Sequence, residues 1–187
     1  MQDKILILLL HTERSVLNKK TMNTTKRIQL LLFLSAVNLT LMIPGGFIES
    51  RDFSHISAAT LGIFNSFLTL LGIVSLFLIY CIGKQWKWAY KGAYICGISY
   101  FIVYTIDLLA IFPQSPTAMP TLLFNLEFLG TVLSIPLFLY AVRKARRLQN
   151  TPNQQQFSRS MYGFIGVAIV VGLGIIIFAT TAAMTAK

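Results

Sequence analysis

The chain has 187 residues, 55% of them hydrophobic and 12% charged, with a formal net charge of +10. That apolar content comes in blocks of about 20 residues, which excludes an ordinary soluble domain and matches a hydrocarbon core of about 30 Å. The basic residues flank the blocks instead of forming aromatic-interleaved patches, which points to membrane orientation and away from nucleic acid.

Residues 1–27 read as a basic cytoplasmic segment. Their one apolar run, Ile5–Leu10, is too short to span. Met22 opens a more natural start, so residues 1–21 read as an upstream extension or a disordered cytoplasmic tail. Ile28–Pro44 is the first expected span. No small-residue cleavage site follows it and Asn38 interrupts its core, so it reads as a retained helix and not a signal peptide. Pro44-Gly45-Gly46 stops it.

Phe47–Ser57 is an outer loop rich in reactive groups: Glu49, Arg51, Asp52 and His55. One reading is a solvated loop with weak local ion pairs. The other is a cap docked by Phe47, Ile48 and Phe53, from which Arg51 reaches a buried carboxylate. Ala58–Ile82 is the second span, with Gly62, Asn65, Thr69 and Gly72 on one face. Such small and polar stripes in membranes are packing faces. The turn that follows carries Lys84, Trp86, Lys87 and Trp88, an interfacial belt. Cys81 and Cys96 read as small packing residues, not as a disulfide or a metal motif.

Trp88–Phe112 is the third span, with Ala93, Gly97, Tyr100, Tyr104 and Asp107 on a continuous inward stripe. Thr121–Val142 is the fourth, carrying Glu127, Thr131 and Ser134, and Pro136 is expected to kink it. A basic cluster, Arg143 to Arg147, ends the core at residue 147. Residues 148–160 form a polar cytoplasmic linker. Residues 161–187 hold a fifth span, Met161–Met184, and a short outer tail. Ala168, Gly172, Ala179 and Ala183 on that span suit packing on the core, on a second copy or on a partner subunit.

The expected fold is thus an all-α integral membrane protein: an antiparallel four-helix transmembrane bundle over residues 28–147 plus a fifth C-terminal transmembrane helix. Fourteen of the sixteen basic residues fall on one side, leaving Arg51 and Lys187 on the other. The positive-inside rule then gives a multi-pass protein of the cell membrane with its N-terminus cytoplasmic and its C-terminus outside.

Intramembrane carboxylates are expensive, roughly +2.5 to +3.5 kcal/mol each on insertion scales, so Asp107 and Glu127 are the leading site candidates. With Asn38 and Asn65 they form a layer about 9–11 Å below the outer boundary. Tyr100, Tyr104, Arg51 and His55 complete the candidate set. Two close carboxylates in low dielectric cannot both stay charged, so the pair is expected to hold at least one proton near neutrality, an effect that Arg51 would oppose if it dips in. Three functional readings follow. The layer binds a small molecule, a cation or a proton; it is a helix-tying network of a structural or accessory subunit; or Asp107 and Glu127 serve a lipid-modifying enzyme with His55 assisting. The sequence carries no catalytic or metal motif and implies no particular cofactor. Its expected partners are membrane lipids, such a ligand, and a second copy or subunit at the fifth helix.

Overall fold

The computed structural model describes residues 24–148 and 159–185. The expected N-terminal tail, the centre of the polar linker and Lys187 lie outside the described residues. Among the described residues the protein is entirely helical, in five helices: α1 (24–41), α2 (Ala58–Gly83), α3 (Lys87–Leu108), α4 (Thr121–Arg147) and α5 (Arg159–Thr185). Three segments are long and apolar enough to cross a membrane: Ala58–Gly83, Thr121–Arg147 and Ile165–Met184. The other two helices are more polar. α1 spends its first turn on Thr24, Thr25, Lys26 and Arg27, and α3 carries Lys87, Lys91 and Asp107.

The boundaries follow local chemistry. Ser57 caps α2 by accepting the Thr60 N–H. α2 closes on Gln85, at φ 59°, with the Gln85 N–H donating to Ile82 O and the Trp86 N–H to Cys81 O. α3 closes the same way on Ala110, at φ 51°, through the Ala110 N–H to Asp107 O and the Ile111 N–H to Ile106 O. This double bond pattern satisfies the last carbonyls of a helix. It ends α3 at Leu108, four residues before the expected end at Phe112. α4 runs unbroken through Pro136 and five residues past Val142.

Periodicity sets the core. Ile28, Leu32 and Ala36 on α1, Leu71 and Leu78 on α2, Ala93 and Tyr100 on α3, and Leu137 and Ala141 on α4 are all buried. α3 lies close along α4: a Cβ on Gly97 would come within 2.9 Å of the Phe138 backbone. Long-range bonds hold α1 against the others. Gln29 donates to Ile79 O, Asn38 donates to Leu126 O, and Thr25 bonds to Tyr90. α5 lies along α2, where Gly172 faces Ile73 and Thr69, and Asn65 donates to Thr180. The stripe Gly62–Asn65–Thr69–Gly72 is therefore largely the seam between α2 and α5. Gly45, at φ +80°, sits directly on Ala182, so a side chain there meets both a left-handed backbone and a helix already in place. The C-terminal end of α5 thus shares one end of the molecule with the 42–57 and 109–120 connections, here termed the loop end. The opposite, basic end holds Lys26, Lys84, Lys91 and Arg143 to Arg147.

Candidate functional site

At the loop end the 42–57 connection folds inward instead of standing in solvent. Phe53 is buried with Leu61 and Ala183. Asp52 accepts the Ser54 N–H in a tight local turn, which holds its carboxyl below the usual range. The Asp52 N–H donates to the Thr117 hydroxyl, and the Ser115 hydroxyl donates to Asp52 O. The two connections of this end are therefore sewn together.

That fold carries Arg51 into the helices. Its backbone N–H donates to Glu49 Oε1 at 3.0 Å, and its Nε and Nη2 donate to the same carboxylate at 2.9 and 2.6 Å. The remaining edge of the guanidinium grips Asp107 in a two-pronged contact, Nη1 to Oδ1 at 2.8 Å and Nη2 to Oδ2 at 2.9 Å. Glu127 Oε1 lies 3.6 Å from Nη2, an ion pair longer than a hydrogen bond. The Phe53 ring lies 5.2 Å from the guanidinium carbon and covers it. Burial opposes the charge on Arg51, but the bonds to Asp107 and Glu49 outweigh it, and the arginine pKa is pushed further up. Arg51 is thus a fixed cation shared by three carboxylates.

Glu127 is the exposed nerve of this cluster. The residue is 1% solvent-accessible, and its Oε2 is buried with no hydrogen-bond partner. It lines a cavity of about 390 Å³ that Glu49, Arg51 and Asp107 also reach. The walls are otherwise mostly apolar, with Leu39 on α1, Leu68 and Ile73 on α2, and Val171 and Ile175 on α5. The arrangement is an anionic end on a hydrocarbon-lined chamber. Among the described residues no three His, Cys, Asp or Glu side chains are placed to hold a metal ion.

The remaining candidates separate. Tyr104 lines the cavity, and its hydroxyl accepts from Asn38 at 3.3 Å. Tyr100 stacks on Tyr104 with ring centres 6.0 Å apart, but its hydroxyl donates away from the acids, to Ser75. Asn65 lines the cavity yet bonds across to α5. His55 is exposed, with Asp52 as its acidic neighbour. Glu49 is the participant that sequence reasoning left in the loop. Its signal was the Glu-x-Arg spacing between Phe47 and Phe53.

The chain belongs to the family described as Domain of unknown function (DUF8051), whose model matches residues 24–160. That span includes every residue of the Arg51 cluster. No curated protein and no solved structure matches the chain.

Proposed function

We propose that the chain is a multi-pass membrane protein that binds a small amphipathic molecule with a cationic head group. In this reading α1 to α4 form an antiparallel bundle and α5 adds a fifth crossing. The polar helices α1 and α3 turn Asn38 and Asp107 toward protein and carry Lys26, Arg27 and Lys91 exposed at the basic end, and the apolar flanks face lipid. The positive-inside rule puts the basic end in the cytoplasm and the loop end outside. The binding layer then lies in the outer half of the membrane.

The observation that carries the proposal is Glu127 Oε2, buried and unbonded on the wall of an apolar cavity. An unmade bond on a buried carboxylate is costly, and one guanidinium cannot balance Glu49, Asp107 and Glu127. An ammonium head supplies both the missing charge and the missing donors, and its hydrocarbon tail fills the chamber. A cavity of about 390 Å³ falls within the ordinary range for small-molecule sites. A purely structural network accounts for Asn38 and Asn65, but it satisfies Glu127 only as a carboxylic acid bonded to Asp107 and not as a carboxylate. Catalysis assisted by His55 is disfavoured because His55 is exposed whereas Glu127 is buried.

The test uses the protein in phosphatidylcholine nanodiscs, with thermal shift and native mass spectrometry on decylamine, decanol and decanoate. Decylamine is expected to bind and stabilise. Glu127→Gln is expected to weaken that binding about tenfold or more, the worth of a hydrogen bond to a charged group. Equal binding of decanol, or an unchanged response in Glu127→Gln, would reject a cation-selective site.

A further inference from the structure

At the basic end, far from the cavity, α4 turns a lysine inward. Lys144 is 4% exposed, whereas its neighbours Arg143, Arg146 and Arg147 are exposed. Its ammonium lies 5.8 Å from the centre of the Tyr90 ring. Tyr90 is itself fully buried and held by Gln85 and Thr25. One turn back along α4, the exposed Arg27 of α1 places its guanidinium 6.0 Å from the Tyr140 ring. Two cations from different helices thus converge on one corner, each resting on an aromatic face.

Among the described residues this corner has no acidic counter-charge. Every acid among the described residues, namely Glu49, Asp52, Asp107 and Glu127, belongs to the loop end. Every salt bridge found among them uses Arg51. A buried ammonium needs more than a ring: a cation–π contact recovers about 0.5–2 kcal/mol, while desolvating an ion costs several. Orientation under the positive-inside rule requires charge near the membrane, and it does not require a lysine folded against a tyrosine.

We infer that the Arg27–Lys144 corner is a binding site for the phosphate of an anionic membrane lipid. The source is a lipid because the corner sits at the end of α4, which is long and apolar enough to cross a membrane. It shares that end with Trp86 and Trp88, whose rings lie 5.9 Å apart and mark the head-group level. The phosphate bridges the two cations, and the acyl chains lie along the outer faces of α1 and α4.

The test is native mass spectrometry of the full chain titrated with phosphatidylglycerol or phosphatidylcholine. The parent is expected to retain phosphatidylglycerol preferentially. Lys144→Met and Arg27→Gln are each expected to lower that affinity about fivefold, the value of one basic residue at a lipid surface. Lys144→Arg is expected to keep it. Arg146→Gln removes the same charge two residues on, about 200° around the helix, and is expected to leave it unchanged. If Lys144→Met does not fold, the exposed Arg27 carries the comparison alone. Equal retention of the two lipids, or an equal loss in Arg146→Gln and Arg27→Gln, would reduce the corner to diffuse charge and overturn the inference. Displacement of the lipid by millimolar glycerol phosphate would overturn the lipid assignment.

Discussion

Arg51 and Asp52 are chain neighbours with opposite fates. Arg51 is buried among three acids; the Asp52 carboxylate spends its bond on the Ser54 N–H at the surface. Removing one partner of a buried ion cluster leaves the others uncompensated, at a cost of about 3–5 kcal/mol. Arg51→Ala is therefore expected to lower the melting temperature in detergent sharply, and Asp52→Ala far less. Equal small effects in a melting experiment would mean that the cluster is solvated. At this scale the sequence was informative where chemistry was costly. Asp107 and Glu127 stood out because hydrocarbon surrounds them, and Arg51 because it was one of only two cations left on the outer side. Glu49 did not stand out, since a loop carboxylate is ordinarily solvated. Its role depends on the 42–57 connection folding inward, which no local pattern encodes. Arg51, whose entry was expected to oppose the proton held by Asp107 and Glu127, contacts both acids.

Among the elements, α5 shows what periodicity reveals and what it conceals. Its small residues announced a packing face, and Gly172, Ala179 and Ala183 are indeed buried. The identity of the partner was not legible, because a small-residue stripe fits any close neighbour. Asn65 shows the same limit from the other side: its depth was readable, but not whether it turned toward the acids or toward α5. The seam is testable. With Cys81 and Cys96 replaced by alanine, the double substitution Asn65→Cys with Thr180→Cys is expected to form a disulfide under mild oxidation. The native side chains there approach to 3.3 Å. Two reactive thiols that stay unpaired would separate α5 from α2 and remove one wall of the cavity. The helix ends were legible where proline or glycine marked them and, within one residue, at Gln85, but the end of α3 was missed where Ala110 took a left-handed conformation. Side chains rarely adopt that conformation, and here it is held by the closing bonds.

For the whole molecule, charge asymmetry was the clearest message in the sequence, and the structure gathers the described acids at the loop end. The proposed orientation puts Gln114 and Lys84 on opposite sides of the membrane. In a cysteine-free background, a membrane-impermeant maleimide added outside intact cells is expected to label Gln114→Cys and spare Lys84→Cys. The reverse pattern would invert the topology, and labelling of both would remove a crossing. With negative charge at one end and most of the described positive charge at the other, the protein carries a permanent electric moment along its helices. Moving an elementary charge across a membrane at 100 mV involves about 2.3 kcal/mol. A potential negative on the basic side holds this moment aligned and draws a cation inward from the opposite face. A head group that reaches carboxylates about a third of the way through the core crosses about a third of the drop, or about 0.8 kcal/mol per 100 mV. If the cavity binds a cation as proposed, its affinity for that cation is expected to rise about fourfold for each 100 mV of polarisation.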